Sequence, residues 1–120
     1  MNIPKGCYPV RVDSTFTWID RQMTRLKGSN NHDVQQGFFI HMEPYLGPHQ
    51  FSLDYLLERR DKLTAEFVSG PTEGSYMVIE RGMIPSYDEI PYQGKFAAEI
   101  RGLWRMENDW MGGPFYSITI

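Results

Sequence analysis

Cysteine is nearly absent. Cys7 stands alone in 120 residues, which excludes an intramolecular disulfide and any metal site built from several thiolates. Long hydrophobic runs are missing as well: no stretch of roughly 18 apolar residues occurs, so no membrane span is expected in this chain. Nor is there an excess of positive charge. Twelve Lys+Arg face 15 Asp+Glu, a formal net charge of -3. A general nucleic-acid binder would carry a basic stripe, so no nucleic-acid partner is expected. Phosphate-cradling loops are lacking, because Gly112-Gly113 precedes a strand and has no Lys-Ser/Thr after it. Ser75, in Glu73-Gly74-Ser75-Tyr76, lacks the second glycine of a nucleophile elbow. A helix lying on a membrane would need a basic polar face, whereas Glu58, Arg59, Arg60, Asp61 and Lys62 mix their signs. Repeats and low-complexity segments are absent.

What remains is an ordinary globular composition, 41% hydrophobic and 22% charged, too apolar for a disordered chain. A chain of this length buries roughly two-thirds of its unfolded surface without a metal or disulfide staple. Residues 1–120 therefore read as a single domain. Gly6-Cys7 suggests a lipoprotein anchor, but only Met1 to Lys5 precede it, where an apolar leader would be needed. Cys7 reads instead as a small residue near the first strand. The sequence stops at Ile120 inside an apolar alternation, which suggests a fragment or trimmed piece of a longer protein.

Periodicity assigns the elements. Cys7 to Val12 and Thr15 to Gln22 are predicted strands around Asp13-Ser14. In the second, Phe16, Ile19, Met23 and Leu26 also fall at helical spacing, but Thr15, Thr17 and Trp18 favour a strand. Lys27 to Gln36 is polar and reads as a loop. Gly37 to Tyr45 is a predicted strand, with Phe38, Ile40 and Met42 on one face and Phe39, His41 and Glu43 on the other. Ser52 caps a helix that has Asp54 in its first turn and Leu53, Leu56, Leu57, Leu63 and Phe67 as its stripe. Gly70-Pro71 ends it. Ser75 to Arg81 is a strand, and a loop punctuated by Pro85 and Pro91 follows. Lys95 to Glu107 alternates at greatest length. Phe96, Ala98, Ile100, Trp104 and Met106 share a covered face; Lys95, Glu99, Arg101, Arg105 and Glu107 share a wetter one. A turn over Asn108 to Gly113 leads into a last strand, Phe115 to Ile120, with Pro114 at its start. The expected fold is α+β: a largely antiparallel sheet of about five to six strands, with one main helix packed on one face. The strand–helix–strand stretch over residues 37 to 81 is compatible with a parallel crossover.

Three constellations carry chemistry. His41 and Glu43 project from one strand face, and His49 follows a turn that returns the chain, so two imidazoles and a carboxylate form a candidate metal set. No known metal signature is completed around them, and a polar pair on a solvated strand face is the ordinary explanation. Glu99 shares its face with Arg101, Arg105 and Glu107. With Glu43 it offers two carboxylates for acid and base work on a glycosidic bond. A cross-strand ladder of alternating charge explains the same residues more simply. Third, the chain carries 3 Trp, 7 Tyr and 7 Phe. Trp104 falls on the core face, whereas Trp110, beside Met111 and two glycines in a turn, has no strand face to bury it.

Two segments, Gly70-Pro71-Thr72-Glu73-Gly74-Ser75-Tyr76-Met77 and the run from Phe96 through Trp104-Arg105-Met106-Glu107-Asn108-Asp109-Trp110-Met111-Gly112-Gly113-Pro114 to Phe115, carry a resemblance, together with the helix from Phe51-Ser52 to Lys62. They resemble an uncharacterised family of Gram-negative (bacteroidete) cell-envelope lipoproteins classed as a domain of unknown function. The resemblance implies the periplasmic side or cell surface, with a lipid anchor on a longer protein, and it supplies no catalytic residues. The expected function is a non-enzymatic envelope domain that binds a protein or glycan partner. Its candidate contacts are Trp110, Met111, Glu99, Arg101 and Arg105, and no cofactor is expected. The alternatives are a metal-dependent or two-carboxylate hydrolase and a structural module without its own ligand. The last strand, Ser117 to Ile120, is a candidate for pairing with a second copy.

Overall fold

The computed structural model describes residues 5–23 and 34–120, and the chain divides into two compact units, Met1–Pro44 and Tyr45–Ile120. In the first, β1 (Cys7–Val12), β2 (Phe16–Met23) and β3 (Val34–His41) form an antiparallel sheet in sequence order. The strand reading of the second segment holds, for the reason anticipated. Threonine and aromatic side chains fit a pleated surface, and here they pair across it: Phe16 stacks on Phe39 at 5.7 Å, and Trp18 meets the same ring edge-on at 5.8 Å. Trp18 Nε1–H donates to Asp20 Oδ1 at 2.7 Å, giving that buried carboxylate a partner. Most of the segment read as a polar loop, and Leu26 of the helical alternative, lie outside the described residues. Positions 34–36 of that segment belong to β3. The strand expected over residues 37 to 45 thus begins earlier and ends at His41. Its Phe39 and His41 are half-buried, whereas Phe38 and Ile40 are exposed.

The second unit holds a 3-10 turn (Pro48–Phe51), α1 (Leu53–Phe67), β4 (Tyr76–Ile79), β5 (Ser86–Tyr92), β6 (Lys95–Glu107) and β7 (Gly112–Thr119). Ser52 caps α1 as expected, its hydroxyl accepting from Tyr55 N, with Asp54 in the first turn. The long strand β6 is the spine. It pairs with β5 along its first half and β4 along its end, and with β7 on its other side, all antiparallel. Ala98, Ile100 and Met106 of the predicted covered face are buried and Trp104 is half-buried, but Phe96 is 41% exposed and Ala97, on the opposite face, is fully buried. Leu57 of α1 packs with Ile79, Ile100 and Phe115, while Leu53, Leu56, Tyr87 and Trp104 flank that core.

The architecture is therefore α+β, with seven described strands in two antiparallel sheets and one main helix. The expectation of one sheet missed the division. Sheet membership depends on which edges pair, and alternation carries no record of that. No parallel crossover spans residues 37 to 81, because β3 pairs with β2 and β4 with β6 in the other sheet. The proline-punctuated loop is also corrected. Ser86–Tyr92 is a strand, and among the described strands it pairs with β6 alone, so Pro91 can sit on its edge without breaking a ladder bond. Gln93 and Gly94, both at positive φ (50° and 77°), turn it tightly into β6.

Two cross-strand details hold the β6–β7 hairpin. Gly102 lies opposite Phe115, and a Cβ at Gly102 would stand 2.8 Å from that ring. Trp104 likewise covers Gly113, whose added Cβ would meet the indole at 3.1 Å. Each glycine makes room for a ring that would otherwise have to stand off the sheet. On the helix side, Asp61 accepts from Ile79 N at 2.8 Å and from Arg81, clasping β4. Thr64, fully buried, donates to Met77 O at 2.7 Å. Arg60 lies with its guanidinium 4.1 Å from the Phe115 ring, and burial lowers its pKa to about 10, partly offset by Asp61. Apolar periodicity alone does not place these three polar residues on the sheet side of the helix.

Candidate functional site

The β6–β7 hairpin carries the first candidate surface. Asn108 takes a positive φ of 65°, which asparagine tolerates, and reverses the chain after β6. Asp109 then fixes the turn from both carboxylate oxygens: Oδ1 accepts from Trp110 N at 2.7 Å, and Oδ2 accepts from the Thr72 hydroxyl at 2.9 Å. Asn108 Nδ2 donates to Gly74 O at 3.4 Å. Thr72 and Gly74 belong to the loop between α1 and β4, so the hairpin tip is tied to a second segment far away in sequence. Met106 N donates to Met111 O at 2.9 Å and closes the turn. On this anchored tip the Trp110 side chain lies in solvent, 99% exposed, beside Met111 at 46%. A backbone so held, carrying an indole so bare, is the least expected feature of the surface, since a large apolar ring in water forgoes its burial energy.

The charged face of β6 is differently organised. Glu99 is only 14% exposed in its side chain; it accepts from the Tyr116 hydroxyl at 2.8 Å and pairs with Arg101 at 3.5 Å. That hydrogen bond is the main reason the Tyr116 pKa is raised above its ordinary value; burial and the Glu99 charge add to it, and Arg101 opposes them. Arg105 donates to Glu107 and pairs with Glu80 at 3.5 Å. The hydrogen bond to Glu107 leads the causes that raise its pKa. Arg101, 65% exposed, also lies 5.4 Å from the Tyr116 ring. These charges answer one another along and across the strands, as the ladder reading anticipated. Glu43 is not a strand neighbour of Glu99, because β6 pairs with β4, β5 and β7.

His41 and His49 belong to different units. His41 Nδ1 lies 3.0 Å from Thr15 O; a carbonyl only accepts, so Nδ1 carries the proton there. Nε2 is buried with no hydrogen bond, and the nearest carboxylate oxygen of Glu43 is 3.9 Å away. The spacing of two thus brings His41 and Glu43 together. His49 belongs to the second unit, where its ring meets Tyr55 edge-on at 5.5 Å. Among the described residues, no group of three or more His, Cys, Asp or Glu is arranged to hold a metal ion. No described helix is long and apolar enough to cross a membrane.

Sequence reasoning missed one concave feature, a cleft of about 400 Å³ in the second unit, walled by Tyr45, Phe51, Tyr87 and Phe96, with Glu89 and Ser52 also on its lining. Its signal was dispersed, since the rings come from the stretch before α1, from β5 and from the start of β6. Assigning Ser86–Tyr92 to a loop concealed the alternation that places Tyr87 and Glu89 on one face.

The family model for Domain of unknown function (DUF4837) matches residues 1–120, and the chain belongs to that family. No curated protein and no solved structure matches it.

Proposed function

We propose that the chain is a non-enzymatic binding domain of the cell envelope and that it engages its partner through Trp110 and Met111 at the tip of the β6–β7 hairpin. The carrying observation is the 99% exposure of Trp110 on a turn held by Asp109, Thr72 and Asn108. A rigid support means that little ordering entropy is lost when the ring is covered, and tryptophan is the residue type that most often anchors an interface. The partner is a protein or a glycan. Both oxygens of the neighbouring Asp109 already accept hydrogen bonds within the turn, and the Trp-Met pair suits an apolar protein surface better than a sugar. Arg105, opposite Gly112 at the base of the turn, supplies a rim charge, while Arg101, opposite Tyr116, lies farther along the strand; rim charges affect encounter rate more than affinity. The envelope address, and a lipid anchor on a longer protein of which residues 1–120 form one domain, rest on the resemblance of the hairpin and helix segments to bacteroidete lipoproteins. The outer edge of β7, which pairs only with β6 among the described strands, offers self-pairing as a subsidiary contact.

A thermal-shift series with envelope protein fractions, cell-wall fragments and glycans tests the proposal. A ligand at a hundred times its Kd stabilises by about 2.7 kcal/mol, several degrees for a domain of this size. The expected result is a shift in the wild type that Trp110→Ala abolishes. A shift that survives Trp110→Ala places the contact elsewhere; no shift with any of them favours a structural module.

A further inference from the structure

The aromatic cleft is a second site, sharing no residue with the hairpin tip. Its volume, about 400 Å³, lies within the range of small-ligand pockets. Its lining comes from three places: Tyr45 and the 3-10 turn with Ser52 after it, Tyr87 and Glu89 two apart on β5, and Phe96 at the start of β6. The rings meet at angles. Phe51 and Phe96 have centroids 5.4 Å apart with planes at 60°, and Tyr45 and Phe51 are 6.3 Å apart at 54°. With Tyr87, these rings make the lining of the cleft predominantly aromatic.

The polar inventory selects the ligand. The Tyr87 hydroxyl donates to Phe51 O at 2.7 Å. The Ser52 hydroxyl donates to His49 O at 2.8 Å and accepts from Tyr55 N. Glu89 makes no hydrogen bond or ion pair among the described residues, and it lies close enough to help raise the Tyr87 pKa, after burial as the larger cause. A sugar would ask for several donors and acceptors, and most are engaged. An anion would meet an uncompensated carboxylate. A cation is drawn by the ring faces and by Glu89 together. The positive end of α1 opposes it weakly, since the Ser52 cap and Asp54 already answer that end.

We infer that the cleft walled by Tyr45, Phe51, Tyr87 and Phe96 binds an alkylammonium group, with Glu89 as its counter-charge. The group belongs either to a small ligand or to a lysine side chain of a partner. Calorimetric titration of the whole chain with choline, with N-acetyl-lysine methylamide and with 3,3-dimethylbutanol, the uncharged counterpart of choline, tests this. The expected result is saturable binding of at least one cation, about tenfold tighter than the alcohol and weakened about fivefold by Glu89→Gln and by Tyr45→Ala. Binding of choline alone identifies a small ligand, and binding of the lysine derivative identifies a partner's side chain. Both substitutions change exposed side chains, and an unchanged melting temperature shows that the fold is retained. The inference is overturned if neither cation binds saturably, if the alcohol binds as tightly, or if Glu89→Gln leaves binding unchanged.

Discussion

Trp104 and Trp110 lie six residues apart on the same hairpin and have opposite fates. Trp104 stands on β6, covers Gly113 and packs beside Ile100 and Phe115. Trp110 stands on the turn and touches solvent on nearly every side. Both backbones are well held, one by a ladder and the other by side-chain hydrogen bonds. The difference therefore lies in what the ring does for the fold. Trp104 gains burial energy within the molecule, whereas Trp110 forgoes it, and the proposed contact is where that energy would be recovered.

The largest expected effect separates the two directly. Trp104→Ala should lower stability by about 3 kcal/mol, while Trp110→Ala should stay within about 0.5 kcal/mol of wild type, both read from urea midpoints at constant m. Comparable losses would mean that Trp110 supports the fold after all. Next is Gly102→Ala, which forces a Cβ against Phe115. A loss of about 1–3 kcal/mol is expected, and a neutral result would show that the ring has room to withdraw. Smaller again is Asp109→Ala, which removes the two hydrogen bonds that the Asp109 carboxylate accepts in the turn. It should cost about 1 kcal/mol and weaken partner binding although Trp110 is intact. Full binding in that variant would separate the tip's rigidity from its function.

The smallest effect concerns the charged face. The raised Tyr116 pKa means that the folded state keeps the phenolic proton after the unfolded state has lost it. This contribution is complete below the ordinary tyrosine value of about 10 and is lost as pH rises through the folded value. Tyr116→Phe should flatten the fall of stability over that alkaline window in a pH-dependent melt. An unchanged slope would mean that the Glu99 hydrogen bond does not persist in solution.

Alternation made most of the covered face of β6 legible, and Ser52 with Asp54 marked the start of α1, because both signals are local. Trp110 could be singled out for a negative reason: the turn around it offers no strand face. What tied that turn down was not readable, since Thr72 and Asp109 are 37 positions apart. The division into two sheets was equally hidden, because it is decided by edge pairing. The two arginine–glutamate sets were legible as a ladder. The burial of Thr64 and the packing of Arg60 over Phe115 were not, because an apolar stripe cannot announce its polar members. The cleft escaped for a related reason, as its rings come from three separate segments and only the fold assembles them.

The most direct test of the account is photo-crosslinking in the organism that makes the protein, with p-benzoylphenylalanine placed at position 110 and, as its comparison, at Lys62 on the exposed face of α1. A discrete adduct from position 110 that is absent from position 62 is the result predicted for a hairpin built to be covered. No adduct at 110, or the same products from both positions, would contradict it.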